Sequence, residues 1–259
     1  MKIAILVPGE PRFCKEFDVF LERLPPDAQI DWFFYLWKNS TYGGSRGLVS
    51  PNWVTIDRDW AFNKIKENLP AYHNIIRVEI GENWRDHFQT SITTGNVDSI
   101  FPMYSSLYLA DKMRQEHELS AGKYDLVIRT RPDVGMLQAV DFNAIKSRIE
   151  SEPTLVLMPD GQRYGNNVPT VNDMFAIASS NNMTIYSNLV NRLNEYHNAG
   201  VQFHPETLLS HHLRTNGLHF PPSGFDILLR ALSREIDGKH VELSKIVDGK
   251  LYPNFDRWA

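Results

Sequence analysis

Two hydrophobic patterns alternate along the first 220 residues. The first is a short unbroken apolar run, as in Ile3-Ala4-Ile5-Leu6-Val7, which predicts a strand from Lys2 to Val7 buried on both faces. The second places apolar residues three or four apart. Phe13, Phe17, Phe20, Leu21 and Leu24 predict a helix that Pro25-Pro26 stops. A second, aromatic strand is predicted from Ile30 to Trp37, a helix from Trp60 to Leu69 and a strand from Ile75 to Ile80. A longer helix follows from Met103 to Leu119, with Leu107, Ala110 and Met113 on its inner face and Gly122 as its stop. Strands are then expected at Tyr124 to Arg129, Thr154 to Met158 and Asp173 to Ala178. Helices are expected near Phe142 to Ile149, through Met183, Tyr186, Leu189, Val190 and Leu193, and from Pro205 to about Arg214, with Leu218 to Phe220 as a late edge strand. Strands alternating with helices predict an α/β fold on a mostly parallel sheet.

The length of 259 residues fits one large domain or two small ones. With no internal repeat and no low-complexity linker, the expectation is a single domain over 1–259, with 222–259 as a C-terminal extension. Residues 38 to 58 are polar and rich in Gly, Ser and Asn, a long connection of the kind that often carries function. A formal net charge of −4 gives no basic field, which argues against a nucleic-acid partner. A single cysteine, Cys14, excludes an internal disulfide and a Cys-rich zinc site. No transmembrane or secretory segment is read from the sequence, so a cytoplasmic location is expected; oligomeric state is not readable.

In an open α/β sheet, ligands bind outside the carboxyl ends of the strands. The first strand runs into Val7-Pro8-Gly9-Glu10-Pro11-Arg12, where Gly9 lets a ligand approach the backbone and Arg12 offers a grip on phosphate. The segment matches neither the dinucleotide fingerprint nor a phosphate loop. The central run, Tyr124-Asp125-Leu126-Val127-Ile128-Arg129-Thr130-Arg131-Pro132-Asp133-Val134, takes a buried strand straight into two arginines and an aspartate. Charge at such a place is expected around a polar site, because burying it alone is costly. Alternation puts Arg129 and Arg131 on one face, and Pro132 predicts a bend before Asp133. Two arginines and a carboxylate suit a phosphate group with a divalent cation; a structural ion pair at the sheet edge is the alternative.

That central segment resembles the central motif of nucleotide-sugar-dependent glycosyltransferases with the GT-A fold, of the viral and bacterial polysaccharide-synthesis type. Other segments resemble the family in the same order: Lys2 to Arg12, Asp31 to Trp37, Met103-Tyr104-Ser105-Ser106, Asn172 to Ala178, and His204-Pro205-Glu206-Thr207-Leu208-Leu209. The resemblance implies a GT-A-like, Rossmann-like mixed sheet flanked by helices. It implies a nucleoside-diphosphate sugar as donor, a hydroxyl on a glycan as acceptor, and a divalent cation, Mn or Mg. Pro8, Gly9, Arg12, Ser105, Arg129, Arg131 and Asp133 are then expected to hold the donor, with Asp133 on the metal and Glu206 and Asp173 as catalytic carboxylates. This chain departs from the family at Arg131-Pro132-Asp133, which stands where Asp-x-Asp is usual, so Arg131 itself could neutralise the diphosphate. The alternative function is an inactive nucleotide- or glycan-binding module of the same fold.

Two features stay open at this level. Asp173 begins its strand, so it reaches the carboxyl edge only if that strand is antiparallel. His204, His211, His212 and His219 form a loose group in sequence without the spacing of a helical metal pair. Trp32, Phe34 and Trp37 are expected in the core, and Tyr42, Trp53 and Trp60 around the polar connection are the candidates for stacking on a sugar or base.

Overall fold

The computed structural model describes residues 1–9, 15–38, 58–93, 96–132, 134–136, 140–159 and 171–221, with the backbone of short strands between 229 and 253. Glu10, Arg12, Cys14, Tyr42, Trp53, Asp133 and the side chain of Trp60 lie outside the described residues.

Strands β1 (Lys2–Gly9), β2 (Gln29–Trp37) and β3 (Asn74–Gly81) form one half of a six-stranded sheet. Strands β4 (Leu126–Arg129), β6 (Val156–Leu157) and β7 (Ala176–Ala178) form the other, with β5 (Gly135–Met136) outside it. The order is β3-β2-β1-β4-β7-β6. The first four are parallel, and β7 runs antiparallel to both β4 and β6. The expected mixed, mostly parallel sheet flanked by helices is what the chain forms.

Alternation along the strands builds two cores. Ile3, Ile5, Val7, Trp32, Phe34, Leu126 and Ile128 point to one face, against α1 (Lys15–Glu22), α2 (Arg58–Asn68) and α4 (Phe142–Ser151). Ala4, Leu6, Phe33, Tyr35, Trp37, Val127, Ala176 and Ala178 point to the other. That second face is covered by α3 (Val97–Ala121), α5 (Ser180–Ser187), α6 (Leu193–Asn198) and α7 (Pro205–Thr215). Trp32, Phe34 and Trp37 are buried, as their patterning predicts.

Several boundaries differ from the sequence expectation for local reasons. Helix α3 starts six residues before Met103 and runs through Pro102, whose missing N–H leaves one turn unbonded. Close by, the Trp37 indole donates to Pro102 O (2.9 Å) and the Ser105 hydroxyl to Phe101 O (2.6 Å), bonds to carbonyls other than Asp98 O, the one the proline cannot serve. The helix expected through Met183 to Leu193 is divided into α5, a 3-10 turn (Asn188–Arg192) and α6. Ser187 and Asn188 sit at the division; the Ser187 hydroxyl is bonded to Asp111 Oδ2 (2.9 Å) and Thr184 O (3.1 Å). Short polar side chains that bond elsewhere interrupt a helix in this way. Strand β7 starts at Ala176, because Asn172 Oδ1 accepts the Met174 N–H (2.8 Å) and turns the chain just before it. The late edge strand is reduced to a bridge between Leu155 and His219. Beyond residue 221, β8 (Leu229–Arg230) pairs antiparallel with β5, and two hairpins follow.

Helix α3 is fixed to α5 by a buried charge network. Arg114, fully buried, meets Asp111 at 2.7 Å and Glu118 at 2.8 Å and donates to the Ser180 and Thr184 hydroxyls. Ser180 in turn donates to Glu118 (2.6 Å). Removing the cation leaves Asp111 buried without a counter-charge and Glu118 with only the exposed Lys123 ammonium at 3.0 Å, and breaking a buried pair in this way costs about 3–5 kcal/mol. Arg114→Ala is therefore expected to lower the free energy of unfolding in urea by about that amount; a loss below ~1 kcal/mol would show the network to be peripheral.

Candidate active site

The carboxyl edge of the parallel strands brings together described candidate residues from four segments. At the end of β1, Pro8 is buried and Gly9 has φ of +97°, the left-handed region that a side chain disfavours. A Cβ added at Gly9 would meet nothing within 4 Å, so backbone conformation rather than space calls for glycine there.

At the end of β4, Arg129 is only 2% exposed. It pairs with Leu6 of β1 on one side and Ala176 of β7 on the other. The Thr130 N–H continues the ladder to Leu6 O (3.0 Å). The chain then turns, with the Val134 N–H on Arg131 O (3.2 Å), so the bend expected at Pro132 is present. The strand stops at Arg129, so alternation no longer assigns Arg131 to the same face.

Asp173 reaches this edge because β7 is antiparallel to β4: Ala176 lies opposite Arg129, and Asp173 precedes it by three residues. The condition that the sequence leaves open is met.

Glu206 arrives from the helical layer that covers the second core, in the first turn of α7. Pro205 occupies the first helical position and His204 the extended N-cap. The Tyr104 hydroxyl of α3 donates to Pro205 O (2.8 Å), which pins the start of α7 against α3. His204 Nδ1 lies 2.9 Å from Glu206 Oε2, an ion-pair contact once the ring is protonated.

These groups feel one another's charge. Burial pushes the Glu206 carboxyl above its ordinary range, and Asp173 adds to the shift; its own backbone N–H and His204 oppose it. Tyr104 is raised well above the ordinary phenol value, first by burial, then by Asp173, Tyr186 and Glu206, with Arg129 opposing. Burial also raises Tyr186, Arg129 acting against the shift and Asp173 with it. One arginine, two carboxylates and two phenols thus share one buried neighbourhood.

Among the described residues, Arg129 Nε and Nη1 and the Tyr186 hydroxyl are buried with no hydrogen-bond partner. Sequence reasoning does not single out Tyr104, Tyr186 or His204 as site residues. For the tyrosines the available signal is helical spacing: Tyr104 sits on the same buried stripe of α3 as Phe101 and Leu107, and Tyr186 lies three residues past Met183. Aromatics on such stripes read as ordinary core. Ser105, the residue chosen from the same tetrapeptide, is fully buried, and its hydroxyl bonds the helix carbonyls of Phe101 and Pro102.

The histidines do not converge. His212 is buried and neutral, bonded to the Tyr196 hydroxyl (2.9 Å) and Ile185 O (2.7 Å), with burial holding its pKa down. His211 packs its edge on Tyr196, and His219 lies 3.6 Å from Glu152. No three His, Cys, Asp or Glu among the described residues are grouped to hold a metal ion. No helix among those residues is long and apolar enough to cross a membrane.

The chain is thus a mixed α/β protein with an acidic and cationic cluster at the carboxyl edge of its sheet. No family model matches it, and neither does any curated protein. Among solved structures it is similar to mouse xyloside xylosyltransferase 1 in its apo form, with a TM-score of 0.46 and 9% identity over 86% of this chain and 85% of that one.

The raised Glu206 carboxyl has a consequence for stability. The folded protein binds that proton more tightly than the unfolded chain, so the native state is penalised as pH rises through the folded pKa. Glu206→Gln is expected to raise the melting temperature at pH 7, each kcal/mol regained reading as roughly 2–4 °C. Below the unfolded value of about 4.3 the side chain is protonated in both states and the gain should vanish. A variant less stable than the parent at pH 7 would show that the carboxylate is held by favourable contacts instead.

Proposed function

We propose that this chain transfers a sugar from a nucleoside-diphosphate sugar to a hydroxyl acceptor on a glycan. The observation that carries the reading is the convergence of Asp173 and Glu206 beside the buried Arg129 at the carboxyl edge of the sheet, where open α/β folds take their ligands. The resemblance of the segments around Arg12, Arg131-Pro132-Asp133 and Glu206 to nucleotide-sugar transferases supports it as well.

In this reading Glu206 is the general base. It takes the proton of the acceptor hydroxyl as that oxygen attacks the anomeric carbon. The bond from that carbon to the diphosphate oxygen breaks, and the nucleoside diphosphate leaves with the electron pair, so the configuration inverts. Arg12 and Arg131 neutralise the leaving diphosphate, and Pro8 and Gly9 leave its path open along the backbone. Asp133 is the one carboxylate proposed for a Mn or Mg ion; the described residues supply no three-ligand set for such an ion, and the proposed steps use none. Asp173 keeps the Glu206 carboxyl basic by repulsion.

Two measurements test the reading. A panel of nucleoside diphosphates, each with and without Mn or Mg, is expected to contain one that raises the melting temperature; at 100 times its dissociation constant the gain is about 2.7 kcal/mol. Arg131→Ala should abolish it, and a flat panel for a folded protein would contradict the donor assignment. Transfer is expected to fall on the acid side as Glu206 is protonated. Asp173→Asn removes a repelling charge, so the acid limb should move to lower pH; no movement would show that Asp173 does not tune the base.

A further inference from the structure

Three buried donor atoms at the carboxyl edge have no acceptor among the described residues: Arg129 Nε, Arg129 Nη1 and the Tyr186 hydroxyl. Arg129 is 2% exposed and Tyr186 fully buried, and the guanidinium is close enough to act on the Tyr186 phenol. Native proteins rarely leave buried donors unbonded, because each one forfeits its hydration without return. Something with acceptor oxygens therefore belongs there.

The charges beside the donors limit what it is. Among the described groups whose charges act on Tyr104, Asp173 and Glu206 set two carboxylates against the Arg129 guanidinium. An added carboxylate would meet one cation and two like charges. A hydroxyl meets no net repulsion: it accepts from Arg129 or Tyr186 and donates to Asp173 or Glu206. On the acidic side the Glu206 side chain is 19% exposed and that of His204 30%.

We propose that this cluster is the subsite for the transferred sugar, that Arg129 and Tyr186 read its ring hydroxyls, and that the sugar is uncharged. The inference rests on the sugar-transfer reading and adds to it the class of sugar. In the sugar-transfer reading diphosphate recognition is assigned to Arg12 and Arg131, so the bare diphosphate serves as the control for the sugar contacts.

The test uses Tyr186→Phe, which removes one hydroxyl and leaves the packed ring in place. Deleting an unbonded buried hydroxyl should leave the ligand-free protein as stable as the parent or more so. A lower melting temperature would show that the hydroxyl already has a structural partner and would overturn the proposal. Affinity is then compared by titration calorimetry for uridine diphosphate, its glucose conjugate and its glucuronate conjugate, and for guanosine diphosphate and its mannose conjugate. The parent is expected to bind a hexose conjugate more tightly than the bare diphosphate, and the glucuronate conjugate no more tightly than uridine diphosphate. Tyr186→Phe should weaken hexose-conjugate binding about three- to tenfold, the worth of one hydrogen bond, and leave the bare diphosphate unchanged. An equal hexose gain in parent and variant, or tighter binding of the glucuronate, overturns the subsite while the transfer reading stands. If no diphosphate and no conjugate binds, the transfer reading fails and the inference falls with it.

Discussion

A guanidinium buried at the end of the central strand is the constraint around which the site is arranged. Arg129 follows three buried apolar residues on β4 and is itself almost inaccessible. A charge in that position needs compensation close by, and the fold provides it from two directions. Asp173 comes from the sheet itself, on the turn before β7. Glu206 comes from the helical layer, at the start of α7. Tyr104 ties that start to α3 by its bond to Pro205 O. Glu206 is costly where it stands, raised by burial and by Asp173 and eased by its own backbone N–H and His204. The cluster is therefore more than a set of side chains that share an edge.

Such an arrangement fits chemistry better than stability. The Glu206 carboxyl is pushed up by burial and by Asp173, so the native state carries an energetic penalty there at neutral pH. The same shift makes Glu206 a stronger base than an exposed glutamate. Structural charge in the same protein is handled differently. Arg114 sits among Asp111, Glu118, Ser180 and Thr184 with its donors engaged. Arg129 has two donor atoms without acceptors among the described residues. One arginine is satisfied by the fold and the other is left with capacity for a ligand.

Much of the fold is legible in the sequence because its signals are local. The runs at Ile3 to Val7 and Ile30 to Trp37, the Pro25-Pro26 stop and Pro205 at a helix start each fix an element within a residue or two. The site is legible in part. Position at the end of a buried strand picks out Arg129, and the family resemblance picks out Asp173 and Glu206, but the arrival of Asp173 at that edge depends on β7 running antiparallel to β4, which no local pattern encodes. Tyr104 and Tyr186 escape notice because a buried aromatic on a helical stripe looks the same whether it fills a core or lines a site. The reach of α3 back to Val97 is hidden by Pro102, because a proline usually ends a helical pattern just before it, and only the packing of Val97, Ile100 and Phe101 into the core shows the helix running through.

The site depends on Asp173 and Glu206 acting on each other across the end of β4. A double-mutant cycle on unfolding free energy at pH 7, with Asp173→Asn, Glu206→Gln and the pair, measures that directly. Contacting charges couple by about 0.5–3 kcal/mol, so removing the charge of Glu206 is expected to stabilise the parent, and to stabilise the Asp173→Asn background by measurably less. Strict additivity, within about 0.3–0.5 kcal/mol, would show that the two carboxylates are independent and would contradict their convergence on one site.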